Sequence, residues 1–235
     1  MNLSTTFARI RKTVAGVSLA ALMLSMFATG AVASAKTTTI TGQIWNDVPA
    51  DAWFYTYVND LTTKSVVDSP NTTNKSNYRP GDLVNRAELA KLIVTAAGIP
   101  VKTATAAPFK DVPMGQWYTN YIYTLSSEGI VSGDMLNGQP TGTFRPDGNV
   151  NRAEAAKFLV NGFMFANNTT GGPHFPDVSS SAWYYNYVET AYNNTLVAGY
   201  PDGKYRPANN VNRAEIAKMV DQAMGGVVHG FTLSD

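Results

Sequence analysis

Five residues, Val-Asn-Arg-Ala-Glu, recur unchanged at positions 84–88, 150–154 and 211–215. Each copy follows an aromatic-Arg-Pro triplet at the same distance: Tyr78-Arg79-Pro80, Phe144-Arg145-Pro146 and Tyr205-Arg206-Pro207. A motif repeated at long, near-equal intervals restricts the chain to a repeat architecture, in which one supersecondary unit is copied and the copies share a core.

The motif reads as a helix start. Asn85, Asn151 and Asn212 can accept from a first-turn amide. Glu88, Glu154 and Glu215, three positions later, can reach back to the cap's own amide. The apolar residues that follow keep helical spacing: Leu89, Leu92, Ile93, Ala96; then Ala155, Phe158, Leu159, Gly162; then Ile216, Met219, Val220, Ala223. Lys91, Lys157 and Lys218 follow each Glu by three and read most simply as solvated pairs with it, contact with a ligand being the alternative. Arg86, Arg152 and Arg213 go against this pattern. At the first helical position the macrodipole disfavours a cation by about 0.3–1 kcal/mol. Two readings of that guanidinium stand: an anion site formed with free helix amides, or an ion pair with an Asp elsewhere in the repeat.

Upstream of each motif lies a second recurring set. Asp47, Asp111 and Asp177 each precede a tryptophan by six residues (Trp53, Trp117, Trp183), with Tyr57, Tyr121 and Tyr187 four residues further on. Continued through Leu61, Leu125 and Ala191, this line predicts a first helix of about three turns with an aromatic face. A turn-rich loop joins the two helices. It carries Gly133 and Gly199 in the second and third copies, where a positive φ after a helix is expected, and Asp68-Ser69-Pro70 in the first. Linkers fall at 98–108 and 167–173. The repeats therefore span 45–98, 109–166 and 175–225, with a short tail at 226–235. A unit of this size is marginal alone, so a shared core is expected.

Residues 1–35 read as an export signal: Arg9, Arg11 and Lys12, then a mostly apolar run, then Ala33-Ser34-Ala35 for cleavage before Lys36. The alternative, an uncleaved anchor over 14–33, is weakened by Ser18, Ser25, Thr29 and Gly30. No stable membrane span is expected after cleavage. Without the signal the chain carries 15 basic against 17 acidic residues, which gives no basic field for nucleic acid. Cysteine is absent, so disulfide scaffolds, thiol catalysis and cysteine zinc sites are excluded.

The aromatic-x-Asp-Val openings (Trp45 to Val48, Phe109 to Val112, Phe175 to Val178), the Trp six residues on, the loop Gly, the aromatic-x-Pro and the x-Arg-Ala-Glu helix start together resemble the S-layer homology domain. All three copies match, across nearly the whole mature chain; Asn stands where the family usually has Thr. The resemblance implies an all-α fold of three helix-loop-helix repeats packed as a pseudo-threefold trimer within one chain. It also implies a secreted protein of the cell wall and cell surface, or S-layer, holding a cell-wall polysaccharide in grooves between repeats, often one bearing a pyruvate ketal.

On that basis the candidate ligand-binding residues are Arg86, Arg152 and Arg213 for the anionic group and Trp53, Trp117 and Trp183 for the groove walls. Asp47, Asp111, Asp177, Gly133 and Gly199 complete the set. A tryptophan can equally pack in the core against the second helix. The aspartates can cap the first helix, pair with an Arg or accept from sugar hydroxyls. No catalytic residue, metal ligand or cofactor is expected. Glycan hydrolysis needs two carboxylates in distinct environments, the only repeated Glu serves as a cap, and His174 and His229 stand apart. The competing function is a structural scaffold that self-assembles or binds other S-layer or surface proteins, since no cargo domain is expected after the last repeat.

Overall fold

A computed structural model of the protein describes residues 44–68 and 77–225. The expected signal segment, residues 69–76 of the first repeat and the tail at 226–235 lie outside the described residues.

Each repeat begins its second helix at the predicted cap. The side chains of Asn85, Asn151 and Asn212 accept from the amides of Glu88, Glu154 and Glu215 at 2.8, 2.9 and 2.9 Å. The glutamates accept in return from the Asn amides at 3.0, 3.0 and 2.9 Å. Each cap is worth about 1 kcal/mol. The helices so started are α2 (Arg86–Ala96), α4 (Arg152–Gly162) and α6 (Arg213–Ala223). The first helices are α1 (Tyr55–Thr63), α3 (Thr119–Ser127) and α5 (Tyr185–Asn193).

These first helices start after the tryptophan, so the predicted line from Trp through Tyr to Leu is not one helical face. Trp53, Trp117 and Trp183 sit in the preceding turns, and the buried apolar positions are Val58 and Leu61, Ile122 and Leu125, Val188 and Ala191. Each first helix ends on a left-handed residue, Ser65, Gly129 or Thr195. The chain then turns back, with Val66, Ile130 and Leu196 donating to the carbonyls of Leu61, Leu125 and Ala191. That closure carries the apolar pairs 66–67, 130–131 and 196–197 into the core. Positive φ was expected at both loop glycines; it occurs at Gly133 (73°) and not at Gly199. Both stand in crowded places. A Cβ at either would come within 2.6 or 2.7 Å of the ring of Phe109 or Phe175.

Among the described residues the fold is mostly helical, with one two-stranded sheet, β1 (Met135–Leu136) and β2 (Gln139–Pro140), paired antiparallel with Leu136 opposite Gln139. The second helices α2, α4 and α6 contact one another, while α3 packs on α2, α5 on α4 and α1 on α6. Where the second helices converge, the backbone closes a circuit. Val84 donates to Val211 (3.1 Å), Val211 to Val150 (3.0 Å) and Val150 to Val84 (2.9 Å), and all three side chains are fully buried.

The adjoining helix starts are sealed the same way. The amides of Arg86 and Ala87 donate to the carbonyls of Gly148 and Pro146, those of Arg152 and Ala153 to Asn209 and Pro207, and those of Arg213 and Ala214 to Asp82 and Pro80. The amides that a helix normally leaves unpaired are thus taken by the loop of another repeat. An anion site using free helix amides is thereby ruled out; the third amide of each helix already serves its Asn.

Candidate functional site

The aromatic-Arg-Pro triplets are gripped from two sides. Asp47 accepts from the amides of Tyr78 (2.7 Å) and Arg79 (2.8 Å). Asp111 does the same for Phe144 (2.8 Å) and Arg145 (2.7 Å), and Asp177 for Tyr205 (2.8 Å) and Arg206 (2.7 Å). The arginine held in each case has a left-handed backbone, with φ of 60°, 56° and 57°. Such a conformation is costly for a side chain larger than glycine's, and two charge-assisted bonds offset it. The aspartates are therefore backbone clamps rather than helix caps, and Asp111 adds its charge to those around Arg86.

From the other side come the arginines of the repeated motif. Arg86 Nε donates to the Phe144 carbonyl (2.6 Å), Arg152 Nε to Tyr205 (2.7 Å) and Arg213 Nε to Tyr78 (2.7 Å). Each guanidinium also lies over the ring whose carbonyl it holds, with Cζ 4.4–4.7 Å from the centroid. Arg86 adds Glu154 Oε1 at 2.9 Å, Arg213 has Glu88 at 3.7 Å, and Arg152 instead donates to the Ala198 carbonyl at 2.8 Å. The guanidinium that is locally unfavourable on its own helix thus becomes a tie to the next repeat. The fixed partner common to all three is a carbonyl, and Arg86 also meets an aspartate, Asp134 of the second repeat, at 3.9 Å. Arg86 and Arg152 are buried and Arg213 partly so.

The tryptophans are not core residues. Trp53, Trp117 and Trp183 are 57, 55 and 56% exposed, each in an edge contact with the aromatic residue that follows it. Two of them wall clefts. The larger cleft, about 900 Å³, draws Arg86 from the first repeat, residues of the 131–143 loop with Arg145, Glu154 and Lys157 from the second, and Trp183 and Tyr187 from the third. The smaller, about 300 Å³, joins Trp117 to Arg213, Glu88 and Lys91. Arg152 and Trp53 line neither cleft, nor do Asp47, Asp111, Asp177 or Gly199, whereas Gly133 lines the larger one.

The floor of the larger cleft is a charge network. Arg145 binds Asp134 through two nitrogens (2.8 and 2.9 Å) and reaches Glu154 at 3.1 Å, the same oxygen that Arg86 engages. Burial opposes ionisation of Asp134, but the Arg145 hydrogen bonds and the Arg86 charge hold it below the usual carboxylate range. Beside this network stands Lys157. The expected pairing of the repeat lysines with their own Glu does not form: Lys91 bonds Asp68 at 3.0 Å, Lys218 lies 6.0 Å from the Tyr57 ring, and Lys157 makes no ion pair among the described residues. Its ammonium sits 5.8 Å from the rings of both Trp183 and Tyr187. Burial, then the nearby Arg86, pulls its pKa down against the opposing charge of Glu154.

Asp134, the side chain of Arg145 and the β1–β2 hairpin are the parts that sequence reasoning missed, while Lys157, read there chiefly as a solvated pair, stands in the cleft. The hairpin had a signal in Asn137-Gly138, a favoured two-residue turn with both residues at positive φ. That Lys157 would stand unpaired in the cleft had no such signal, because the loop aspartate that neutralises Lys91 has no counterpart reaching Lys157.

The family model for the S-layer homology domain matches residues 46–90, 108–134, 136–156 and 174–217, more than half of the chain. The chain belongs to the S-layer homology domain family. An S-layer protein of Bacillus thuringiensis subsp. finitimus is 27% identical over 89% of this chain and 24% of its own length. The S-layer protein sap of Bacillus anthracis gives the same figures. An endoglucanase of Bacillus sp. (strain KSM-635) is 25% identical over 90% of this chain but 22% of its own length, so most of that enzyme lies outside the similarity. The chain spans about a quarter of the length of these curated relatives. Family and relatives place it as a secreted protein of the cell surface and support a role in cell-surface anchoring. Among the described residues no helix is long and apolar enough to cross a membrane, and no group of three or more His, Asp or Glu could hold a metal ion.

Proposed function

We propose that the chain anchors to the cell surface by holding an acidic wall polysaccharide in clefts between repeats, without turning it over. In this reading the three helix-loop-helix units form a pseudo-threefold trimer about the valine circuit, with Arg86 sharing a cleft with Trp183 and Arg213 one with Trp117. The larger cleft is the principal site. Trp183 offers a flat face to a sugar ring, and Lys157, with the outer edges of Arg86 and Arg145, meets the sugar's acid, a pyruvate ketal being one form of it. Trp117 with Arg213 makes a second, smaller groove, whereas Arg152, covered by the Tyr200 ring, and Trp53 are left out of it. Asp47, Asp111, Asp177, Gly133 and Gly199 serve by fixing the loops that shape the grooves.

The observation that carries the reading is the Lys157 ammonium, which makes no ion pair among the described residues and sits 5.8 Å from each of two aromatic rings, beside a floor on which Arg86 and Arg145 are paired with Asp134 and Glu154. Its test is co-sedimentation with purified wall sacculi. Lys157→Ala and Trp183→Ala should each weaken binding about tenfold, the loss of one charge-assisted contact or one stacked ring. Wild-type binding by both variants, with circular dichroism unchanged, refutes it. Binding that survives stripping of the polysaccharide points instead to a protein partner. Mild acid, which removes ketals, tests the nature of the acid.

A further inference from the structure

The dipeptide Asn-Gly occurs twice in the chain, at 137–138 and 161–162, and the fold treats the two copies oppositely. Asn161 and Gly162 lie in α4. The Asn161 side-chain amide donates to the Ile130 carbonyl at 3.1 Å, and Gly162 is so tightly packed that a Cβ there would stand 2.3 Å from Ile93 Cγ2. Asn137 and Gly138 form the tip of the β1–β2 hairpin. Both are exposed, and a Cβ on Gly138 would meet nothing within 4 Å. Among the described residues no hydrogen bond holds the Asn137 side chain or the Gly138 amide.

The exposed copy is free to react. Its two residues hold positive φ, 50° and 77°, and the strands beside them are two residues long and exposed throughout, so the tip opens locally at small cost. The base stays in place, because the Asp134 amide donates to the Thr143 carbonyl at 2.8 Å and Arg145 grips the Asp134 carboxylate. In the opened tip the Gly138 nitrogen, unshielded by any side chain of its own, reaches the Asn137 carboxamide. The nitrogen gives its proton to water and bonds to Asn137 Cγ, while the Cγ–Nδ2 bond breaks and ammonia leaves. Water then opens the five-membered imide at one carbonyl or the other, leaving aspartate or isoaspartate. Water is the sole co-reactant, and nothing is oxidised or reduced. In α4 the same attack is barred: the Gly162 nitrogen belongs to the helical ladder, and the Asn161 amide is tied to Ile130.

We propose that Asn137 is a self-modifying site, whose deamidation sets a new carboxylate on the rim of the larger cleft and loosens its hold on an acidic polymer. The loosening rests on the glycan reading above; the modification does not. Leu136 and Gly138, on either side of Asn137, both line the cleft that contains Arg86, Arg145 and Lys157. A neutral amide beside that lining becomes an anion of the same sign as the ligand. One unit charge within a Debye length of another weakens binding by about two- to threefold at low salt. Isoaspartate also inserts a methylene into the main chain of a two-residue turn, and the lining on either side moves with it.

The test incubates the unaltered protein in mildly alkaline buffer and follows it by peptide mass mapping. The peptide carrying Asn137 should gain the mass of amide-to-acid conversion and split into two chromatographic forms, while the peptide carrying Asn161 stays unchanged. Two substitutions keep a favoured hairpin turn, Asn137→Asp and Asn137→Gly. In co-sedimentation with wall sacculi at low salt, Asn137→Asp should bind about two- to threefold more weakly than fresh unaltered protein, and added salt should close the gap. Asn137→Gly should bind like fresh protein and lose nothing on incubation. No conversion at Asn137, or equal conversion at Asn161, overturns the site. Undiminished binding by Asn137→Asp, while Lys157→Ala still loses affinity, overturns the loosening and leaves the glycan reading standing. Failure of the fresh protein to bind sacculi removes the glycan reading and the loosening together, and the mass maps still decide the modification.

Discussion

Replacing Asp221 with valine should make the protein more stable and remove most of its pH dependence between pH 5 and 9. Asp221 lies on α6 where that helix meets α1, and it is 2% exposed. Its neighbours from α1 are Asp60, Lys64, whose ammonium is 3.9 Å away and pairs with Asp60, and Tyr57. Asn59, also buried there, has no hydrogen-bond partner for its side-chain amide among the described residues. At the same helical position α2 and α4 carry Val94 and Val160.

Burial, then the hydrogen bond and charge of Asp60, pushes the Asp221 carboxyl from 3.8 up to about 8. The folded protein therefore holds a proton that the unfolded chain releases, and stability falls as pH rises from about 4 to about 8. At about 1.4 kcal/mol per pH unit the cost approaches about 4 kcal/mol at pH 7. Solvent around Asp60 and Lys64 screens part of it, so Asp221→Val should gain about 2 kcal/mol, or about 4–8 °C in Tm. Asp60, held low mainly against its own burial by Asp221 and Lys64, acts in the opposite sense but only at more acid pH. Urea titrations of both proteins at pH 5, 7 and 9, followed by circular dichroism, read the difference. Parallel stability curves, or a valine variant less stable at pH 7, would refute the argument.

Two further substitutions probe the triplet clamps. Asp177→Ala removes the acceptor of two backbone amides beside a left-handed arginine and should cost about 2–4 kcal/mol by urea denaturation; a loss under 0.5 kcal/mol would deny the clamp. Arg152→Lys keeps the charge but cannot donate to the carbonyls of Tyr205 and Ala198 together, so its midpoint should fall by about 1.5–3 kcal/mol in ΔG, with an unchanged value showing the fork to be idle.

The second helices were legible to the residue because a capping box is local: Asn85 and Glu88 are three positions apart and settle the start between them. The first helices were legible as elements but not in their faces. Trp53, Tyr57 and Leu61 keep an i, i+4 spacing, yet the helix begins at Tyr55, and the turn before it follows the Tyr55-to-Ala52 backbone bond instead. What the tryptophans face is decided between repeats, where no spacing rule reaches. The roles of Asp47 and Arg86 were hidden for a related reason. Their partners are backbone atoms, an amide 31 residues away and a carbonyl 58 residues away, and backbone atoms carry no residue-type signature. Asn137-Gly138 could have been read as a hairpin turn, but what stands beneath that hairpin could not.

The backbone circuit through Val84, Val150 and Val211 has a consequence for any attempt to shorten this molecule. Take one copy away and one valine loses its donor, another its acceptor, and a neighbouring helix its lid, leaving bare amides where a loop had been. A minimal version of this anchor cannot be trimmed to a single copy or to a pair. Its smallest workable number is set by hydrogen-bond valence at the centre, before any sugar is counted.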